Sequence, residues 1–211
     1  MKITKYGHSC LLIEETGVRI LVDPGIFSAV PEELSPLDAI LVTHEHPDHL
    51  QVDVVERLRV AQPSLKILTQ QAVGMMLDKA GVTSELLLDG RSKRLGDLTI
   101  AAFGKQHEVI VPEVPVVANT GYLIGGRLFV PGDALTVPNQ PVEVLALPIC
   151  APWSKMAETL AYALRVSPKI VIPIHDGFLI PNNPFQVWVE RTLPEKGIRV
   201  VNLELGVPSE L

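Results

Sequence analysis

Three histidines and two acids occupy seven consecutive positions, T-H-E-H-P-D-H at residues 43–49, in a chain that holds only six histidines. Imidazole nitrogens and carboxylate oxygens are the donors that zinc and several other divalent metals accept in proteins. His44, His46, Asp48 and His49 therefore form a candidate metal-binding cluster. The alternative interpretation is a solvated polar turn. Further donors elsewhere in the chain would favour the metal site over the turn.

The cluster offers more donors than one catalytic metal requires. A catalytic zinc binds three protein ligands and keeps a fourth position open for water. His44 and His46 are two residues apart, so an extended backbone points both rings to the same side. Asp48 and His49 follow where the chain turns and can face the same space from another direction. The excess of donors predicts a second metal.

Three further donors stand where predicted strands end. They are His107 in G-K-Q-H-E, Asp133 in V-P-G-D-A and His175 in P-I-H-D-G. Ligands of α/β proteins gather at the carboxyl ends of strands, which would bring these side chains to the same edge as the first cluster. Seven donors in four such loops suit a dinuclear site, with one bridging carboxylate and a hydroxide between the metals.

The elements that position these donors follow from the apolar pattern. Short apolar runs bounded by Gly and Pro predict ten strands, at residues 9–14, 18–22, 39–42, 66–69, 98–103, 121–124, 128–130, 144–149, 170–174 and 200–205. Helical periodicity and N-cap signals predict four helices, at residues 50–61, 71–80, 156–164 and 183–194. Strands precede helices in both halves, which predicts an α/β protein with two packed sheets and helices outside.

Composition limits the remaining choices. The 211 residues are 47% hydrophobic, enough for the core of one domain spanning residues 1–211. No run approaches the ~20 apolar residues of a membrane span, and no signal peptide is evident, so we expect a cytoplasmic protein. The net charge of -6 argues against a nucleic-acid partner. Two cysteines, Cys10 and Cys150, make no disulfide framework.

The ordered pattern H-x-H-x-D-H, a lone His, an Asp in a G-D turn and a final His resembles the metallo-β-lactamase superfamily of metal-dependent hydrolases. The resemblance extends from V-D-P-G at residues 22–25 to P-I-H-D-G at residues 173–177. The early G-H-S-C-L-L-I and the late I-V-I-P-I-H are similar to the lactonase-like branch, which includes ascorbate-6-phosphate lactonase. The resemblance implies a four-layer αββα sandwich of two mixed β-sheets flanked by helices.

The resemblance also implies roles for individual residues. It assigns His44, His46 and His107 to the first metal, Asp48, His49 and His175 to the second, and Asp133 to both as a bridge. Asp23 matches an acid that lies behind the ligands and orients the metal-binding loop. Asp48 is the implied catalytic residue, which orients the attacking hydroxide and accepts a proton.

Three classes of function stay open. The leading one is a hydrolase that uses hydroxide bound by two divalent ions to cleave a small ester, lactone or phosphoester. Zinc is the first candidate, and manganese, iron and nickel suit the same donors. The alternatives are a mononuclear iron oxidoreductase of the persulfide dioxygenase type and a metal-binding protein without turnover. Asp133 stands where zinc β-lactamases carry cysteine, which disfavours antibiotic hydrolysis as the main activity.

Two residues outside the ligand set are candidates for a substrate pocket. His8 sits at the start of a predicted strand, where it either faces the cleft or caps a hairpin. Trp153 follows a strand end and forms either a pocket wall or part of the core. We expect a small-molecule substrate and no membrane partner, and a homo-oligomer is possible.

Overall fold

Two seven-stranded sheets form from the apolar runs of the chain. The computed structural model describes residues 1–211. The first sheet contains, in spatial order, β14 (Ser209–Glu210), β1 (Lys2–Gly7), β2 (Cys10–Glu15), β3 (Val18–Val22), β4 (Ala39–Leu41), β5 (Lys66–Thr69) and β6 (Glu85–Leu86). The second contains β13 (Arg199–Val200), β12 (Ile170–Ile174), β11 (Val144–Pro148), β10 (Leu128–Val130), β9 (Gly121–Ile124), β8 (Leu98–Phe103) and β7 (Ser92–Leu95).

Both sheets are mixed and follow the same plan. In each, an antiparallel meander leads into parallel strands: β3, β4, β5 and β6 in the first sheet, and β10, β11, β12 and β13 in the second. Four α-helices follow strands of these sheets: α1 (Val52–Ala61), α2 (Gln71–Lys79), α3 (Met156–Val166) and α4 (Pro184–Thr192). A 3₁₀ helix, Pro194–Lys196, follows α4. No helix combines the length and apolarity that crossing a bilayer requires.

Successive side chains of a strand point to opposite faces of its sheet, and here the two faces contact different layers of the molecule. In β2, Leu11 and Ile13 join a cluster of 23 buried residues that fills the space between the two sheets. Their neighbour Leu12 points the other way, into a cluster of 14 residues shared with α1 and α2. A third cluster of 12 residues packs α3 and α4 on the second sheet. The predicted αββα sandwich is therefore confirmed.

One predicted strand is wrong over most of its length. Residues 200–205 were expected to form a strand from their alternating apolar side chains, but β13 ends at Val200. Val201 and Leu203 still pack on the core between the sheets. The segment instead crosses from the edge of the second sheet to that of the first, where Leu205 bridges Lys5 before β14 pairs with β1. Alternating apolar residues indicate that every second side chain is buried, and this holds for the crossing segment as it does for a strand.

The sequence also missed four strands, β1, β6, β7 and β14. Three of them, β6, β7 and β14, lie at sheet edges or contain two residues, so little apolar pattern marks them. Helix α1 begins at Val52, two residues later than predicted. The preceding residues 46–51 form hydrogen-bonded turns instead, in which the amide of Leu50 donates to the carbonyl of His46. These turns shape the loop that holds the histidine cluster.

Candidate metal centre

The loops after the parallel strands converge at one edge of the sandwich. Asp23 directly follows β3, the cluster at residues 44–49 follows β4, and Asp133 and His175 follow β10 and β12. His107 lies in the loop after the antiparallel strand β8. All seven predicted ligands therefore belong to loops of both sheets that meet at this edge.

Two loops of the first sheet are joined directly to each other. The amide of Ile26 donates to the carbonyl of Pro47 at 2.9 Å, and the amide of Gln51 donates to the carbonyl of Pro24 at 2.9 Å. A side chain on Gly25 would overlap the carbonyl of Asp48. The sequence D-P-G thus lets the backbone after β3 lie flat against the loop that carries the ligands, which explains why glycine is needed there.

Three groups of donors form in this space. His44, His46 and His107 place their donor atoms within 4.8 Å of one another, and so do His44, His49 and Asp133. The remaining group combines His8 with Asp48, His49 and His175. The structure therefore brings together every residue that the sequence predicted as a ligand, and it adds His8 to one group.

In three of the buried histidines, His49, His107 and His175, the Nδ1 nitrogen lies within hydrogen-bond distance of an oxygen. Nδ1 of His49 lies 2.8 Å from Oδ2 of Asp23, Nδ1 of His107 lies 2.5 Å from the carbonyl of Glu108, and Nδ1 of His175 lies 2.6 Å from the carbonyl of Cys150. These oxygens accept, so Nδ1 carries the proton in all three rings. The lone pair of each Nε2 is then free to bind an ion.

The inner atoms of the same rings lack hydrogen-bond partners. Nε2 of His49, His107 and His175 and Oδ1 of Asp133 are buried without one. Buried polar atoms are nearly always satisfied, and four such atoms facing one space are strongly unfavourable without a ligand. Nε2 of His49 is 3.0 Å from Oδ1 of Asp133, and Nε2 of His175 is 3.1 Å from Oδ2 of Asp133. The donor set therefore fits divalent metal ions.

Asp23 organises the cluster from behind. It is fully buried, and its carboxylate accepts from the amide of Thr43 at 2.8 Å and from the hydroxyl of Thr43 at 2.9 Å. The same hydroxyl lies 3.0 Å from Nδ1 of His44. Through these bonds Asp23 fixes both His44 and His49. Sequence reasoning identified Asp23 but missed Thr43, which only its position beside His44 could have suggested.

His8 makes contact with Asp48 through a defined tautomer. The amide of Gly177 donates to Nδ1 of His8 at 3.0 Å, so Nδ1 accepts and the ring proton lies on Nε2. Nε2 lies 3.3 Å from Oδ2 of Asp48 and donates to it. His8 is therefore a partner of Asp48 and not a further lone-pair donor for a metal.

Backbone strain is concentrated at the same place. His8, Asp23 and His175 have positive φ values of 47°, 46° and 61°, and six non-glycine residues of the chain do so in all. Such conformations cost about 1–3 kcal/mol each and persist where the surrounding structure enforces them. Here the amide of His175 donates to the carbonyl of His8, which ties two of the three together.

Trp153 contacts Asp133. Its indole N–H donates to Oδ2 of Asp133 at 2.7 Å, and the side chain is 9% exposed. Its ring centroid is 5.9 Å from that of His107 and 6.3 Å from that of His175. Of the two environments expected for Trp153, the structure shows a buried one in which the polar end of the indole contacts the metal centre.

Asp133 and Asp48 are ionised in the metal-free protein. Burial favours the neutral form of Asp133, but His49 and the other facing imidazoles outweigh it and hold the pKa of Asp133 well below its usual range. Burial likewise opposes ionisation of Asp48, and the facing imidazole of His175 and the hydrogen bond from His8 lower the pKa of Asp48 nonetheless. Both carboxylates thus offer negative charge to a cation at neutral pH.

The imidazoles divide into two kinds. Burial lowers the pKa of His44, with His49 adding to the effect, and burial also lowers the pKa of His46. Burial acts in the same direction on His175, but the facing carboxylates of Asp133 and then Asp48 overcome it and raise the pKa of His175 to about 9. In the metal-free protein, a proton on His175 thus takes the place of a cation beside Asp133 and Asp48.

Residues 2–175 match the family model described as the β-lactamase superfamily domain. The chain belongs to the β-lactamase superfamily. Protein Rv0786c of Mycobacterium tuberculosis is 40% identical over 187 residues, which cover 86% of this chain and 87% of that protein. The superfamily resemblance that the histidine pattern predicted is thereby confirmed.

Two other proteins extend the superfamily comparison. The UPF0173 metal-dependent hydrolase of Koribacter versatilis is 26% identical over 200 residues, 84% of each chain. Among solved structures, the metallo hydrolase Igni18 of Ignicoccus hospitalis has a TM-score of 0.73 at 22% identity, and the match covers 100% of this chain and 98% of that one. The structural match shows that the two proteins share the fold.

Proposed function

We propose that this chain is a metal-dependent hydrolase that holds two divalent ions and cleaves a small-molecule ester, lactone or phosphoester in the cytoplasm. The observation that carries the proposal is the convergence of buried, unpartnered donors: Nε2 of three imidazoles and Oδ1 of Asp133. Membership of the β-lactamase superfamily supports it, as does the similarity to proteins named metal-dependent hydrolases. Lactones are included because of the resemblance to the lactonase-like branch.

The donor groups supply ligands for two ions. His44, His46 and His107 form one group, in which all three donors are nitrogens. Asp48, His49 and His175 form the other, and Asp133 lies 3.0–3.3 Å from imidazole nitrogens of His49, His107 and His175 and so reaches both groups. Imidazole-rich sites of this kind favour zinc, with manganese, iron and nickel as alternatives.

A bound pair of divalent ions would lower the pKa of water toward ~7 and stabilise negative charge that develops on the substrate. The side chain of Asp48 is 23% exposed, in contrast to the buried Asp133, so Asp48 faces the cleft. Its low pKa keeps it an acceptor, and it orients the attacking water by accepting a hydrogen bond. His8 holds Asp48 in place by donating a hydrogen bond to its Oδ2.

The experiment measures metal content and turnover together. Protein stripped with a chelator and reconstituted with zinc, manganese, iron or nickel is analysed by plasma mass spectrometry and assayed on p-nitrophenyl esters, lactones and a phosphodiester. We expect two ions per chain and hydrolysis that depends on them. Asp133→Asn should lower metal content and turnover together, whereas Asp97→Asn, an exposed acid paired with Arg94, should change neither.

Two results would overturn the proposal. One iron per chain with oxygen uptake on a persulfide substrate would show an oxidoreductase. Full occupancy by two ions without hydrolysis of any ester, lactone or phosphodiester would show a metal-binding protein without turnover.

A further inference from the structure

The mouth of the metal centre is apolar on two sides. On one side, the loop after β8 carries Val109, Val111, Val114 and Val116, which are between 41% and 53% exposed. A small crevice separates residues 114–117 of this loop from His46 and His107. The loop is held against the ligand by a hydrogen bond from the amide of His107 to the carbonyl of Val117 at 3.0 Å. Val114 and Val116 therefore border His46 and His107.

The other side is formed by aromatic residues beside the second group of donors. Phe27 and Phe178 are 44% and 48% exposed, and their ring centroids lie 6.0 Å apart. The ring of Phe178 is 5.6 Å from that of His8 and 5.9 Å from that of His175. Neighbouring exposed apolar side chains that form one patch beside a polar centre are typical of a ligand-binding groove, whereas single exposed apolar residues are common on any protein surface.

Beyond Phe27 lies a cavity of about 570 Å³ with a mixed lining. Leu179, Ile180, Leu203 and Leu205 form its apolar part, and Asn183, Gln186 and Asn202 add uncharged polar groups. Its buried cation is already neutralised. Nζ of Lys5 donates to both carboxylate oxygens of Asp176 at 2.7 Å and to the carbonyl of Pro173 at 2.9 Å. The cavity has room for a chain of several carbons and offers no free positive charge.

Basic side chains are also missing from the mouth itself. The loops at this edge lie within residues 23–50, 106–119, 131–143, 149–154 and 175–183, and these ranges contain no Lys or Arg. The two lysines that flank these segments are engaged elsewhere, Lys105 with Asp89 at 3.7 Å and Lys155 with Glu158 at 3.3 Å. Recognition of phosphate or carboxylate groups in proteins relies on such cations. Apart from the ions themselves, these loops offer no Lys or Arg side chain to an anionic substrate.

We propose that the substrate is an uncharged carbonyl ester or lactone with an apolar chain, and not a phosphoester or a carboxylate-bearing compound. The inference rests on the proposed hydrolase function and narrows its substrate class. The polar centre holds the carbonyl group, and the chain lies along the valine loop or past Phe27 toward the cavity. Each methylene buried in this way stabilises the complex, which corresponds to roughly two- to fourfold in affinity.

The test combines turnover with a binding measurement that needs no chemistry. On reconstituted protein, we expect kcat/KM for p-nitrophenyl esters to rise from butyrate to octanoate about two- to fourfold per methylene. A terminal carboxylate on the chain should abolish that gain, and a phosphodiester should be a poor substrate. In calorimetric titration, the neutral ketone 2-decanone, which has no bond to hydrolyse, should bind more tightly than 2-hexanone.

Matched variants locate the effect. Val114→Asp and Ile180→Asp should each weaken binding of 2-decanone and flatten the dependence on chain length, whereas Val60→Asp should not, because Val60 is 75% exposed on α1. Ester hydrolysis without dependence on chain length, or a preference for anionic substrates, would overturn this inference and leave the hydrolase function standing. Absence of all turnover would overturn the function, and equal binding of the two ketones would separately overturn the inference.

Discussion

The indole nitrogen of Trp153 lies 2.7 Å from Oδ2 of Asp133, so a buried tryptophan donates a hydrogen bond to the carboxylate that lies between the two groups of donors. Oδ1 of the same carboxylate has no hydrogen-bond partner and faces Nε2 of His49 at 3.0 Å. The indole thus fixes the plane of the carboxylate and leaves its second oxygen for a cation.

Replacing Trp153 by Phe keeps an aromatic ring and removes the donor. Partners that hold a metal ligand in place typically contribute 10- to 100-fold to metal affinity. We therefore expect Trp153→Phe to weaken zinc binding by about tenfold, measured by competition with a chromophoric chelator. Trp188→Phe, on the exposed face of α4, is the control and should bind zinc as the wild type does. Unchanged affinity in both variants would contradict this role of the indole.

Asp23→Asn tests the hydrogen bonds behind the ligands. The carboxylate accepts from Nδ1 of His49 and from the hydroxyl and amide of Thr43, and an amide cannot accept at both ends. We expect metal affinity to fall about 10- to 100-fold. Thr43→Val, which removes only the hydroxyl between Asp23 and His44, should have a smaller effect in the same direction. Equal affinity in Asp23→Asn and wild type, measured by the same competition, would show that the ring of His49 is oriented by packing alone.

His8→Gln separates orientation of Asp48 from metal binding. The imidazole donates from Nε2 to Asp48 and accepts from Gly177 at Nδ1, a geometry that a glutamine side chain cannot reproduce at both ends. We expect kcat to fall about tenfold, less than the roughly 10²–10⁴-fold that a positioned acid or base contributes, because His8 acts only through Asp48. The content of two ions and KM should stay close to wild type. A loss of metal in step with activity would instead place His8 among the ligands.

The convergence of the seven donors was predictable because their chemistry is rare and their order is specific. Four donors crowd into residues 44–49, and their number exceeds what one ion needs, which implies further donors at other strand ends. Two packed sheets with helices outside were predictable because short apolar runs such as β2, whose successive residues enter two separate cores, are followed by helical patterns. The αββα order of layers was implied by the superfamily resemblance. Neither inference required knowledge of long-range contacts.

Other features depend on contacts that no local pattern records. The hydrogen bonds from Trp153 to Asp133 and from Gly177 to His8 join residues 20 and 169 positions apart. Residues 201–204 alternate like a strand yet cross between sheets, since the pattern reports which side chains are buried and not which backbone groups pair. The apolar mouth likewise emerges only when loops after β3, β8 and β12 meet.

Gly25→Ala should disturb the ligand loop directly. A Cβ at this position would overlap the carbonyl of Asp48 and come within 2.5 Å of the amide of His49, both of which are backbone and cannot rotate away. We expect a lower melting temperature and metal content below two ions per chain. Gly74→Ala in α2 is the matched control, because its Cβ would meet only side-chain atoms, the hydroxyl of Ser84 at 3.2 Å and Cδ2 of Leu86 at 3.6 Å. Similar behaviour of the two variants would contradict the tight contact between the loops.

Removal of metal should make stability depend on pH in a defined direction. In the metal-free protein burial opposes the charge on His175, but Asp133 and Asp48 raise its pKa from 6.5 to about 9, and the pKa of His49 is also raised. The protonated imidazoles therefore stabilise the metal-free fold fully below about pH 6.5, and this stabilisation is lost as the pH rises through about 9. Metal ions require the deprotonated rings, so their affinity increases over the same window.

The melting temperatures of reconstituted and metal-free protein should accordingly diverge as the pH rises from 6.5 to 9. Scanning calorimetry at half-unit intervals measures the difference, and titration of zinc in buffers with different ionisation enthalpies should show protons released at pH 7. In His175→Gln the divergence should be smaller, because one of the two titrating imidazoles is gone. A difference in melting temperature that stays constant or shrinks over this window would contradict the prediction, since it would mean that protons and metal ions do not compete for the same nitrogens.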